Sequence, residues 1–566
     1  MVQGFKALCT LCVGAVVSTA LASAQTEVRT HAGNTSDDLF GTAVAGAGDV
    51  DNDGVPDYIV GAAEDGAVFQ EREGYVKVFS GATGNLIRSH AGEDLIDRFG
   101  AAVTGAGNTS PGDDDSDDYA VGAHNHGTVG ADLRGKIYLY SGATGGLRWS
   151  VDGAAAEDEL GFSLAGGHDV NGDGIPDIVA GAPRSDVGAS SGGYVIVLSG
   201  ADGSEIHRID GTLANGRLGL SVCSPGNLNP GADSRADFVA GSLNEGVKVY
   251  SGSTGAVLYA LSGQQSSDNY GFSVAGMGDV TGDGVPEIII GAPQGNFLFP
   301  APGYVEVRNG ANGALVFRNT GIVDGQNYGR QVSSAGDWNA DGFDDVMIAS
   351  IPQDSSINIE VDIVSGIDGA WLATLSNGVS AEREGEAIAS VGDTDGDGRI
   401  EVLLGAPSGS DGGFHSGRAV LYESMDQVLP GCVGGSSNFC TSLPNSDGGV
   451  ASLSLIGSTN VVDNDIVLVS TGLPTNQPGV FYYGNATMNV PFGSGIRCVG
   501  GNSIKRIGLA QTGPAGLAAV ALDLPSTLGS NVAISGESTW YFQFWFRDPD
   551  GGGVNFSDGL QIDFCD

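Results

Sequence analysis

Positive charge is scarce in this chain. Twenty-four Lys and Arg stand against sixty-eight Asp and Glu in 566 residues, a formal net charge of −44. That balance speaks against nucleic acid and anionic membrane surfaces as partners, which need a basic face. It suits cation binding, although a solvated acidic surface gives the same total. Histidine is scarce too: His31, His90, His124, His126, His168, His207 and His415 are all there are. None follows position 415, so the last 150 or so residues hold no His-based triad or zinc site. His124 and His126 lie two apart and could share a strand face and a metal, but they stand at a corner where other segments have Gly-Ala-Pro, which favours a loop variant. No Gly-x-Ser-x-Gly elbow falls between a strand and a helix pattern, and no helical periodicity is long enough to carry one. No catalytic residue is assigned. Carboxylate pairs suited to glycoside chemistry stay open, because acids are abundant throughout.

Long apolar runs are also lacking. Ala7 to Leu21 is too short to span a bilayer stably. It follows Lys6 and ends in Ala22-Ser23-Ala24, so residues 1–24 read as a signal peptide cleaved after Ala24. The expectation is a secreted, extracellular or cell-surface protein with no membrane span. Cys12 lacks the neighbours of a lipid-attachment site. Cleavage leaves Cys223, Cys432, Cys440, Cys498 and Cys565. Cys223 reads as a small buried apolar residue. The other four suit two disulfides in an oxidising compartment. Cys498 with Cys565 and Cys432 with Cys440 is the preferred pairing, although sequence does not fix connectivity.

What is abundant is glycine, 95 residues with no three-residue period, which excludes collagen and points to turns between many short strands. Seven segments share one plan: a Phe-Gly-like pair and a short strand, an acidic Gly-rich loop, a strand ending near Gly-Ala-Pro, then two more strands. The acidic loops begin at Asp49, Asn108, Asp169, Asn227, Asp279, Asp337 and Asp393. Four strands per repeat is the blade plan of a propeller. The seventh segment lacks a fourth strand after Glu401–Pro407 and Gly417–Glu423. Thr26–Gly33, ahead of the first Phe40-Gly41, resembles the fourth strand Asn85–Gly92. The expected fold is therefore all-β: a seven-bladed propeller over 26–425 whose N-terminal strand closes the last blade and leaves no open edge.

Five loops fit one metal pattern, with oxygen side chains at positions 1, 3, 5 and 9, glycine at 6 and a backbone carbonyl at 7. The ligand sets are Asp49, Asp51, Asp53, Val55 and Asp57; Asp169, Asn171, Asp173, Ile175 and Asp177; Asp279, Thr281, Asp283, Val285 and Glu287; Asp337, Asn339, Asp341, Phe343 and Asp345; and Asp393, Asp395, Asp397, Arg399 and Glu401. Ca²⁺ takes six to eight hard oxygens at about 2.3–2.6 Å. Position 12, where an EF-hand has Glu, is Val60, Ala180, Ile290, Ile348 or Leu404, so these are β-hairpin calcium loops. About five Ca²⁺ ions are expected. The second loop, Asn108–Tyr119, is longer and shifted and could hold a weak ion. The fourth, Asn227–Phe238, lacks the position-6 glycine and carries Arg235; it is expected to hold none.

At these residues the chain resembles the FG-GAP repeat family, the repeats of the integrin α-subunit head. Phe40-Gly41, Phe99-Gly100, Tyr270-Gly271 and Tyr328-Gly329 match one half of the motif. Gly181-Ala182-Pro183, Gly291-Ala292-Pro293 and Gly405-Ala406-Pro407 match the other. The family includes adhesion receptors, a fungal lectin and polysaccharide lyases. The resemblance implies calcium loops with a structural role, on the face away from the ligand. It makes a non-enzymatic binding or adhesion scaffold for an extracellular protein or glycan the leading expectation. A polysaccharide lyase or hydrolase with an inter-blade cleft, and a structural surface or matrix component, are the alternatives. Insertions near Gly188–Gly193 and Phe297–Gly303 would lie among the recognition loops.

After a linker over 426–436, residues 437–566 show strand-like runs, read as a C-terminal β-sandwich. In Trp540–Asp548, Trp540, Phe542, Phe544 and Phe546 share one face by the two-residue period. Tyr541, Gln543, Trp545 and Arg547 share the other, either as core or as a platform for a sugar ring.

Overall fold

The structure, a computed structural model, describes residues 26–63, 73–95, 97–112, 114–127, 132–265, 267–294, 302–339, 341–352, 358–376, 379–423, 435–440, 442–446, 448–456, 467–500, 504–512, 516–522, 538–548 and 553–564. The expected signal peptide, Cys432, Cys565 and most of the 297–303 insertion lie outside the described residues. The chain divides into two compact units, up to Met425 and from Asp426.

In the first unit the described residues form seven four-stranded antiparallel sheets. The first sheet runs Phe40–Gly48, Asp57–Ala62, Tyr75–Phe79, Leu86–Ala91. Second strands such as Asp57–Ala62, Asp177–Ala182 and Glu287–Ala292 are buried along their whole length, which is why they read as unbroken apolar runs rather than alternating ones. Fourth strands such as Leu86–Ala91 are half exposed. The first strands line one another in a closed circuit. Phe40–Gly48 packs on Phe99–Gly107, then Ser163–His168, Ser221–Gly226, Ser273–Met277, Tyr328–Gly336 and Ala387–Gly392 follow, and the last packs back on Phe40–Gly48. This is a β-propeller.

Glycine at both halves of the repeat motif follows from that packing. A Cβ on Gly61 would stand 2.0 Å from the Gly100 carbonyl oxygen, and one on Gly405 would stand 2.0 Å from that of Gly41. The end of one blade's second strand and the Phe-Gly pair of the next therefore meet backbone to backbone, with no room for a side chain.

Thr26–Ala32 pairs antiparallel with Arg418–Glu423, from Thr26 opposite Glu423 to Ala32 opposite Arg418. It supplies the fourth strand of the seventh sheet. Its seam repeats an ordinary blade junction. Arg29 donates to the carbonyls of Gly81 and Ala82 in the first blade, as Arg88 donates to those of Gly142 and Ala143 in the second. His31 Nε2 lies 2.8 Å from Tyr58 Oη, as His90 Nε2 lies 2.8 Å from Tyr119 Oη.

In the second unit a five-stranded sheet has the order Gly435–Cys440, Gly553–Phe564, Ser538–Asp548, Pro478–Gly484, Lys505–Gln511. A three-stranded sheet of Ser452–Ile456, Val467–Thr471 and Ala518–Ala521 accompanies it. Trp540, Phe542, Phe544 and Phe546 are buried between them with Leu453, Leu468 and Phe481. The opposite face is not an open aromatic platform. Tyr541 and Trp545 pack with Phe439, Tyr482, Val499 and Phe556. Gln543 is fully buried there, accepting from Cys498 N (2.9 Å) and donating to Ile496 O (2.9 Å) and Ser557 O (2.8 Å). Arg547 alone of that row is exposed. The disulfide also differs from expectation: Cys498 bonds Cys440, with Cα atoms 6.4 Å apart. Neither Cys498 with Cys565 nor Cys432 with Cys440 forms, because the strand end at Cys440 already stands within bridging distance of Cys498.

Candidate metal centres

Each acidic loop joins the first strand of a blade to its second. Asp49 Oδ1 accepts from Asp53 N (3.0 Å) and Oδ2 from Gly54 N (2.9 Å), winding the chain around its own carboxylate. Asp169, Asp279, Asp337 and Asp393 hold the position-6 glycine in the same way. That glycine needs a positive φ: Gly54 is at 89°, with nothing within 4 Å of where a Cβ would be. Here the demand is conformational, not steric. The position-5 carboxylate then accepts the N–H of position 7, as in Asp53 to Val55, Asp173 to Ile175, Asp283 to Val285, Asp341 to Phe343 and Asp397 to Arg399, all at 2.8–3.0 Å.

Among the described residues three of these loops bring ligand oxygens within 4.8 Å of one another: Asp49, Asp51 and Asp53; Asp279, Asp283 and Glu287; Asp393, Asp395 and Glu401. A fourth group joins Asp395 and Asp397 to Glu423. In the third and sixth loops an amide stands among the carboxylates instead. Asn171 Nδ2 lies 3.0 Å from Asp173 Oδ2, and Asn339 Nδ2 lies 2.9 Å from Asp341 Oδ2. All the side-chain donors are hard oxygens, and Glu401 Oε1 is a buried oxygen without a hydrogen-bond partner. The residues therefore fit a hard divalent cation.

The closing acid at position 9 has a second task. Asp57 Oδ2 accepts from Val50 N (2.8 Å), while Oδ1 accepts from Gly81 N (2.9 Å) just beyond the third strand. Asp177 and Asp345 make the same clamp, to Gly200 and Gly366. Burial pushes the carboxyls of Asp57 and Asp177 up to about 6, and those of Asp345 and Glu401 up to about 7.

The second and fourth loops keep the clamp. Asp118 accepts from Thr109 N and Gly142 N, and Asp237 from Leu228 N and Gly252 N. Asn108 Nδ2 spans the loop to Asp114 O (2.9 Å), and Asn227 Nδ2 to Asp233 O (2.6 Å). Arg148 stands 3.5 Å from Asp118, and Arg235 lies against Gly172 of the third loop.

Sequence reading missed two acids immediately ahead of the closing one. Asp117 Oδ2 accepts from Asp49 N (3.0 Å) and Asp344 Oδ2 from Gly278 N (2.8 Å), each reaching back to the preceding blade. It also missed the acids at the other ends of the strands. Asp38 takes the hydroxyl of Tyr75 (2.9 Å) and Asp268 that of Tyr304 (2.6 Å). His124 and His126 do not converge. His124 is buried against Phe162, which pushes its pKa down to about 3, with Arg98 and Arg184 adding to the effect; His126 faces Tyr138. Cys223 is buried and its thiol is pushed up.

A closed circuit of antiparallel blades with an acidic oxygen loop at each inner hairpin defines the class: a β-propeller with candidate cation loops. Residues 160–198 and 270–316 match the FG-GAP repeat model. The chain is 33% identical over 176 residues to integrin alpha-8 of Gallus gallus, covering 28% of this chain and 16% of that protein. It is 32% identical over 188 residues to integrin alpha-4 of Xenopus laevis, covering 31% and 17%. Against integrin alpha-E of Mus musculus it is 30% identical over 266 residues, covering 41% and 22%. The chain thus spans less than a quarter of the length of these relatives. Two stretches of its first unit are similar to FG-GAP repeats.

Proposed function

We propose that this protein is a calcium-stabilised extracellular scaffold that binds a protein or glycan ligand without chemical turnover. The observation that carries the reading is the convergence of oxygen ligands at the first, fifth and seventh loops, in a propeller similar to integrin α-subunits. With Ca²⁺ bound, two of the three negative charges of Asp49, Asp51 and Asp53 are offset and the hairpin is held by metal as well as by backbone. The ion supplies rigidity here rather than reactivity. The Cys440–Cys498 disulfide supports an oxidising setting outside the cell, where bulk calcium would fill sites of about 10⁻⁴–10⁻³ M.

Second strands begin at the calcium loops, so the turns after them, including 183–193, fall at the opposite ends of the blades. Those turns and the ones leading into each first strand are the recognition surface in this reading. Many acids there are committed to structure, as Asp38 and Asp268 are. The test combines metal analysis, a glycan and matrix-protein binding array, and a reducing-end assay on the purified chain. Saturable binding without product is expected. Release of new reducing ends would replace the scaffold with a polysaccharide-active enzyme.

A further inference from the structure

The five metal-type loops fall into two kinds. In the first, third and sixth, position 9 is Asp, and both its oxygens accept backbone N–H groups. In the fifth and seventh it is Glu. The extra methylene carries the carboxylate past the clamp. Glu287 Oε2 takes Val280 N (2.7 Å) and Glu401 Oε2 takes Thr394 N (2.6 Å), and Oε1 is left for the loop.

The same two blades differ at a second place. Strand register puts one equivalent residue just past the partner of position 10, at the exit of each third strand. It is Ser80, Ser141, Ser199, Ser251 and Ser365 in five blades, but Asn309 in the fifth and Glu423 in the seventh. Ser80 and Ser141 turn their hydroxyls to the following turn, at Thr83 N and Thr144 N. Asn309 turns to the loop. Its Nδ2 lies 2.6 Å from Asp283 Oδ2, 3.1 Å from Thr281 Oγ1 and 3.4 Å from Glu287 Oε1, so it stands where three expected ligands converge. Glu423 offers an oxygen within 4.8 Å of those of Asp395 and Asp397. Two buried oxygens without hydrogen-bond partners mark the same two sites: Asn309 Oδ1, on a residue 7% exposed, and Glu401 Oε1, on one 1% exposed.

We propose that Asn309 and Glu423 are additional calcium ligands, supplied by the third strand, and that they make the fifth and seventh loops a tight class distinct from the other three. The proposal rests on the calcium reading above. An ion in the fifth loop displaces Nδ2 from the carboxylates, and a half-turn of the amide brings Oδ1 into its place. In the seventh, Glu423 adds a fifth carboxylate to Asp393, Asp395, Asp397 and Glu401. A larger and more charged oxygen set raises affinity.

The test is a competition titration of the full chain with calcium alone against a chromophoric chelator. Wild type is expected to show two sites about tenfold or more tighter than the rest. Asn309→Ser and Glu423→Ser should each move one site into the weaker class. Ser80→Ala should move none. Asn309→Asp, which adds charge in place, should tighten the fifth site, an effect that a merely structural role for Asn309 would not produce. Calcium-saturated melting curves identify any variant that fails to fold, and Glu423→Gln then replaces Glu423→Ser. Equivalent sites in wild type, or a two-class pattern unchanged in both serine variants, would overturn the proposal while leaving the calcium reading intact. No calcium bound by wild type overturns both.

Discussion

The first and fourth acidic loops share one clamp but are braced by different means. In the first, three carboxylates crowd within 4.8 Å of one another, an arrangement that could hold a cation. In the fourth, Asn227 reaches across to Asp233 O and the crowding is gone. Yet Asp57 and Asp237 close both loops alike, each taking a loop N–H on one oxygen and a glycine N–H beyond the third strand on the other. The closing acid is a clamp on the blade whether or not it is also a metal ligand. Loops can therefore lose the ion and keep the fold.

The sharpest way to break this comparison is to remove the metal from all loops at once. Chelation is expected to lower the melting temperature by on the order of 10 °C, since each ion held at a hundredfold its Kd adds about 2.7 kcal/mol. An unchanged melting curve would mean that the five loops are braced as the fourth is. Next comes the clamp. Asp237→Ala strands two buried N–H groups and should destabilise the unit by about 3 kcal/mol, equally with and without calcium, in denaturant titrations. If its cost vanishes in chelator, the fourth loop holds an ion after all. Asp53→Asn should remove about one ion per chain by metal analysis and lower stability only while calcium is present. A loss that persists in chelator would make Asp53 a structural residue like Asp237.

The smallest effect concerns pH at the seam. Burial, with Arg29 and Lys77 nearby, pushes His31 down to about 4. The unfolded chain, with an ordinary histidine, binds a proton between about pH 6.5 and 4 that the folded state refuses. His31 therefore takes away stability as pH falls through that window. His31→Phe, which keeps the stack on Phe79, should flatten the acid limb of a stability–pH curve. An unaltered limb would show that the seam does not contribute.

The blade plan was legible because strands, turns and loops recur in register, so one misread residue is corrected by its equivalents. The acidic loops were legible for the same reason. What was not legible follows from side chains that serve two partners. An Asp at position 9 suits a metal and a backbone clamp equally, and nothing in the sequence separates the two. Asn309 and Glu423 lie more than 20 residues from the loops they face, and only the strand register brings them there. The Cys440–Cys498 bond depends on which strands are neighbours in the second unit, which cysteine spacing does not encode. His124 and His126 looked paired by alternation, but the strand ends at Ala123 and the period ends with it.

The strand that closes the ring also sets a schedule. Thr26–Ala32 is made before the other described strands, and its partner Arg418–Glu423 is made nearly 400 residues later. Until then the oldest strand has no place in a sheet, and six blades can stack without completing the circuit. Closing so long a loop is slow more than it is costly, since loop entropy grows only with the logarithm of length. The waiting chain carries unpaired strand edges, the species most open to misassembly and proteolysis. Closure of the ring joins the earliest described strand of the propeller to the latest, so the exposed interval is the time between making the two.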